Sequence, residues 1–115
     1  MPRYLQIITA VPTASDARRI AAALVSKRLA GCVQVVGPVE STYRWKGRVE
    51  RAKEWLCLVK TSQRRYNQLV TELEALHPYD TPEIIAVPVS GGARKYLAWL
   101  EAATGPVGSR NQPCP

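Results

Sequence analysis

Val39-Glu40-Ser41-Thr42-Tyr43-Arg44-Trp45-Lys46-Gly47-Arg48-Val49-Glu50-Arg51-Ala52-Lys53-Glu54-Trp55-Leu56-Cys57-Leu58-Val59-Lys60 is the stretch on which the fold turns. Lys46-Gly47 makes a hairpin turn between two extended runs, Val39 to Trp45 and Val49 to Lys60. Within the second run, Trp55-Leu56-Cys57-Leu58-Val59 is apolar on both faces. A strand covered on one side alternates apolar and polar residues; this one does not. Helices hide one face, so something else must hide the other.

Upstream of the hairpin, Tyr4 to Val11 carries Leu5, Ile7 and Ile8 and reads as a buried strand. Thr13 and Ser15-Asp16 then offer N-cap chemistry. Ala17, Ile20, Ala21, Leu24 and Val25 follow at spacings of three and four, predicting an amphipathic helix that Gly31 terminates. Cys32 to Val36 is a second strand, interrupted at Gly37-Pro38 and resumed at Val39. Downstream, Thr61-Ser62 is expected to cap a helix with the face Tyr66, Leu69, Val70, Leu73 and Leu76. His77-Pro78-Tyr79-Asp80-Thr81-Pro82-Glu83-Ile84 ends that helix, because residues that precede proline are driven out of helical geometry. Its rigid turn fixes an imidazole, a phenol and a carboxylate relative to one another. Ile84 to Val89 is the fourth strand, and Pro88 suits an edge position. Gly91-Gly92 breaks it, and a last helix presents Tyr96, Leu97, Leu100 and Ala103.

The order is strand, helix, strand, strand, helix, strand, helix. It specifies an α+β chain: a ferredoxin-like βαββαβ sandwich with an extra C-terminal helix. Residues 1–104 form the domain, and the Pro/Gly/Ser-rich stretch 105–115, with Cys114, reads as a flexible tail. One chain of 115 residues has too little material to dry both faces of such a sheet. The expectation is an oligomer whose sheets meet, with the long hairpin reaching a neighbour's edge strand.

Composition narrows the function classes. No apolar run approaches the ~20 residues of a membrane span. Met1-Pro2-Arg3 leads straight into strand-like sequence without a secretory signal. Three cysteines in no paired spacing suit a reducing cytoplasm. The net charge is +7, with basic residues scattered over several elements as a solvated surface. An RNA-recognition motif shares the βαββαβ order, but this chain contains no phenylalanine, and Arg51 to Lys60 lacks the aromatic signature. No nucleic-acid role is expected.

Several motifs in the right order give a resemblance. Leu29-Ala30-Gly31-Cys32-Val33, Ser41-Thr42-Tyr43-Arg44-Trp45-Lys46-Gly47, Leu58-Val59-Lys60-Thr61, the His77–Ile84 turn and Tyr96-Leu97-Ala98-Trp99-Leu100 are similar to the CutA family of divalent-cation tolerance proteins, over roughly residues 4 to 101. The resemblance implies a cytoplasmic homotrimer with no catalytic reaction, and a role in tolerance of copper and other divalent metals. It also implies an architecture similar to the PII signalling proteins. Where bacterial members are described with a copper site, it implies a first-strand cysteine and a His-His pair. Here those positions hold Ile8 and Leu76-His77, so only His77 carries over, and soft copper favours more sulfur and imidazole than this chain offers.

The remaining candidates are Tyr43, Trp45, Glu54, Lys60, Tyr79 and Glu83. Glu54 and Lys60 lie six apart and share a strand face; Tyr43 and Trp45 share one too. They either line clefts between subunits or make the subunit contacts themselves. A PII-like scaffold binding a small anionic ligand, with Lys60 and Arg44 supplying charge, is the alternative function.

Overall fold

The computed structural model describes residues 3–106. Its elements run β1 (Tyr4–Val11), α1 (Ala14–Ser26), β2 (Cys32–Trp45), β3 (Arg48–Ser62), α2 (Tyr66–Leu76), β4 (Ile84–Pro88) and α3 (Arg94–Ala103), with a 3-10 turn at Gln63–Arg65 before α2. The four strands form one antiparallel sheet in the order β2-β3-β1-β4. This is the expected arrangement, with β4 and its Pro88 on an edge.

The pleat separates two faces. Leu5, Ile7, Thr9 and Val11 of β1 and Cys57, Val59 and Thr61 of β3 are buried, and most of them pack with Ile20, Leu24, Leu69 and Leu73 of the helices. The opposite face presents Ile8, Leu56 and Leu58 together with Val36, Ile85 and Val87. Ile85 is 50% exposed in the single chain, and Val36 and Val87 are nearly as open.

The hairpin projects. β1 pairs with β3 only from Trp55 to Ser62, whereas β2 follows β3 out to Arg48. The outer half, Val39 to Glu54, is therefore a two-stranded ribbon. Its turn places Lys46 at φ 50° and Gly47 at φ 79°, the pair of left-handed residues that a tight two-residue hairpin requires. The register shifts between Val36 and Val39, at Gly37-Pro38. That slip exchanges the two sides of β2. Even-numbered residues share the open face before it; Val39, Ser41, Tyr43 and Trp45 share the Glu54 side after it.

Three local expectations are corrected. Helix α1 stops at Ser26 rather than at Gly31, and Arg28 takes the left-handed conformation, φ 59°. Gly31 serves instead as a contact point, since a Cβ there would lie 2.6 Å from Leu100 Cδ1. Thr61 and Ser62 do not cap α2. They end β3, buried, with Thr61 Oγ1 donating to Leu29 O and Ser62 Oγ bonded to Thr104 Oγ1. By contrast, Thr13 caps α1 as predicted, accepting from the Asp16 backbone N–H at 3.0 Å. Gly105 is buried, its carbonyl accepting from Arg28 and Arg65. The rest of the predicted tail beyond Pro106, with Cys114, lies outside the described residues.

Candidate functional site

Where the projecting ribbon meets the proline turn after α2, the chain encloses a cleft of about 590 Å³. Three segments build it. The ribbon supplies Ser41, Thr42, Tyr43, Trp45 and Glu54; the turn supplies Tyr79, Asp80, Thr81 and Glu83; and Ala10 at the end of β1 closes it. The turn is held by three bonds. His77, extended at φ −73° and ψ 135° as its proline neighbour dictates, is buried. Its Nδ1 accepts the Tyr79 backbone N–H at 3.1 Å, so the ring proton sits on Nε2, which donates to Ala10 O at 3.0 Å with Thr9 Oγ1 equally near. Tyr79 Oη then donates to Glu54 Oε2 at 2.8 Å. Turn, sheet and ribbon are thus tied through one histidine and one tyrosine.

Burial tunes both groups. Desolvation pulls the His77 imidazolium below its ordinary range, partly opposed by the Ala10 carbonyl and by Asp16 and Glu54. Burial first, and then the bond to the Glu54 carboxylate, push the Tyr79 phenol well above its usual range. Both side chains therefore stay neutral at physiological pH. Glu54 is only 8% exposed and lines the cleft.

Of the candidates named from sequence, Tyr43, Trp45, Glu54, Tyr79 and Glu83 come together here. Lys60 does not. Six residues of strand, roughly 20 Å, separate it from Glu54. It donates to Gln34 and lines a separate hollow of about 290 Å³ with Gln6, Gly91, Gly92 and Tyr96. His77 lies beneath the cleft with both nitrogens engaged, and a metal would have to displace the Tyr79 N–H to reach Nδ1. Among the described residues, no group of three His, Cys, Asp or Glu side chains is arranged to hold a metal ion. Cys57 is on the helix side of the sheet, its thiol pushed up to about 11 by burial. The donors among the described residues of one chain therefore do not fit a copper site. Asp80 and Thr81 joined the cleft unforeseen, although both sit in the turn singled out from sequence.

The comparisons agree with this architecture. The family model described as CutA1 divalent ion tolerance protein matches residues 5–103. The chain belongs to that family. A divalent-cation tolerance protein CutA from Thermus thermophilus is 46% identical over 99 residues, 86% of this chain and 96% of that one. The chloroplastic protein CutA of Arabidopsis thaliana is 39% identical over 104 residues, 90% of this chain but only 57% of the longer plant protein. Among solved structures, the Thermus thermophilus Cut A1 superimposes with TM-score 0.86 at 45% identity, covering 89% of this chain and 99% of that one. CutA from Xylella fastidiosa gives 0.87 at 40%, covering 90% and 99%. A CutA1 fold with a role in divalent-cation tolerance follows. Other family members carry chloroplastic or periplasmic in their names, and no helix among the described residues is long and apolar enough to cross a membrane.

Proposed function

We propose that this chain serves divalent-cation tolerance as a cytoplasmic, non-catalytic homotrimer that engages metals such as copper at the seams between subunits. The supporting observation is the open sheet face, where Ile85 and Val87 are exposed and Ile8, Leu56 and Leu58 half-buried, beside a ribbon that no third strand among the described residues joins. Burying apolar surface is worth about 25 cal/mol per Å², and an isolated two-stranded ribbon is marginal in water. Three copies packed sheet to sheet cover both. Donors too sparse within one chain, His77 and the cleft carboxylates, become available in multiples at such seams.

Light scattering of the wild type should give three times the chain mass, and Leu58→Lys should give a smaller species that binds copper more weakly by calorimetry. A wild-type monomer overturns the assembly. Unchanged copper isotherms in the dissociated variant overturn the seam site. A second reading, a PII-like small-molecule sensor, is favoured by one observation: Lys60 stands in a hollow beside the Gly91-Gly92 backbone, a place for a small anionic ligand. The main cleft does not suit that ligand, because no basic side chain among the described residues lines it.

A further inference from the structure

We propose that the corner where the end of α1, the start of α2 and the end of α3 meet binds a small condensed-phosphate anion. None of its residues lies on the open sheet face, on the ribbon or in the main cleft, and the proposal depends neither on the metal reading nor on Lys60. It starts from Arg28 and Arg65, both half-buried. Arg28 Nε donates to Gly105 O at 2.7 Å, and Arg65 Nη2 reaches the same oxygen at 3.4 Å. Two guanidinium groups therefore meet over a single carbonyl. Their neighbour Arg64 is answered by Glu101, but neither Arg28 nor Arg65 has a carboxylate partner among the described residues. Carbonyl dipoles hold two such cations in place without cancelling their charge, and like charges this close repel. Mooring α3 accounts for each bond singly; it does not call for two cations over one oxygen.

The second observation is a hollow beside them. Arg65 lines an open depression of about 480 Å³ together with Lys27, Asn67, Gln68 and Glu72. Gln68 Oε1 accepts from Arg65 Nη1 at 3.0 Å, so the amide keeps its own hydrogens for another acceptor. Cations and amide donors thus converge on a space large enough for a small molecule. The donors decide which anion fits. A planar carboxylate answers one guanidinium fork edge to edge. A phosphoryl group carries its oxygens out of any one plane and faces two forks at once. A short chain of such groups extends the negative charge from the arginine pair toward Lys27. No aromatic ring among the described residues lines the hollow, so nothing offers a platform for a nucleobase, and the phosphate chain is the recognised part. Glu72 opposes the ligand. It pairs with Lys27 across the two helices, and an incoming anion must compete with it.

Calorimetric titration of the full chain with tripolyphosphate tests this. One anion per chain should bind, about tenfold more weakly in Arg65→Gln and severalfold more weakly in Lys27→Gln. Glu72→Gln should bind severalfold more tightly, a gain that no loss of folding imitates. Arg94→Gln, at the exposed start of α3, removes the same charge elsewhere and should change nothing. Where Arg65→Gln loosens α3, seen as a lowered melting temperature, Lys27→Gln and Glu72→Gln decide. Sulfate at matched ionic strength should displace little, and ATP should bind no more tightly than tripolyphosphate. Absence of heat at millimolar tripolyphosphate overturns the proposal. So does unchanged affinity in Glu72→Gln, or equal weakening by Arg94→Gln, which would reduce the attraction to diffuse charge. Full displacement by sulfate, or a tenfold preference for ATP, overturns the choice of a condensed phosphate.

Discussion

Gly37→Ala probes the slip that aligns Tyr43 and Trp45 with Glu54. Gly37 has no positive φ, so its backbone conformation does not by itself demand glycine. The obstacle is steric. A Cβ there would lie 2.4 Å from Trp55 Cδ1, 2.7 Å from Cγ and 3.0 Å from Nε1. Carbon atoms rest at about 3.5–4.0 Å, so the overlap exceeds an ångström. It falls on the body of an indole that packs against the core, not on the end of a flexible chain. Either the ring or β2 must move, and overpacking of this kind costs about 1–3 kcal/mol. For a domain near this size, each kcal/mol lowers Tm by about 4–8 °C. Scanning calorimetry at one fixed protein concentration reads the shift without confusion from assembly. Gly91→Ala is the control, with nothing within 4 Å of its Cβ and no positive φ; it should hold or gain about 0.4–1 kcal/mol through the unfolded chain. Placing Gly37→Ala in a Trp55→Leu background should recover most of its cost. Wild-type melting of Gly37→Ala, or an undiminished cost without the indole, refutes the argument.

Two further outcomes concern titration and reactivity. Because burial lowers the His77 pKa, the unfolded chain binds its proton more readily than the fold does. This contribution to stability is full above the ordinary value of 6.5 and is lost as pH falls below it; urea midpoints from pH 8 to 5 should show the slope, and His77→Gln should flatten it. With its thiol at about 11, Cys57 in a Cys32→Ser/Cys114→Ser background should resist a thiol reagent at pH 8 until denaturant is added; prompt labelling of the native protein would contradict its burial.

Strand content and helix faces were legible because their signals are local and periodic. Leu69 and Leu73 fall on the buried stripe of α2, and β1 spans Tyr4–Val11 as read. Chain termini of helices were less so. Gly31 was expected to end α1, but the turn comes earlier, with Arg28 at positive φ, and Gly31 lies where Leu100 comes against the backbone. Thr61 and Ser62 have the chemistry of caps, but packing against Leu29 and Thr104 uses their hydroxyls elsewhere. The cleft was half legible. Tyr43, Trp45 and Glu54 share a side only through the Gly37-Pro38 slip, a register event with no periodic signature. Spacing rightly put Lys60 on the Glu54 face, and six residues of extended strand already set it roughly 20 Å along that face, too far to share one cleft.

Helix α3 is fastened at its trailing end by three arginines. Arg28 reaches Ala102 O and Gly105 O, Arg65 reaches Thr104 O and Gly105 O, and Arg64 reaches Glu101 O. Its leading residue Ala93 has no side chain to answer the first amides. Amide hydrogens of the opening turn, which no side-chain cap answers, are expected to exchange with solvent sooner than those of the trailing end moored by three guanidinium groups. The bonds to neutral carbonyl oxygens hold these guanidinium groups in place without neutralising them, so they remain part of the positive charge behind an isoelectric point of 9.7.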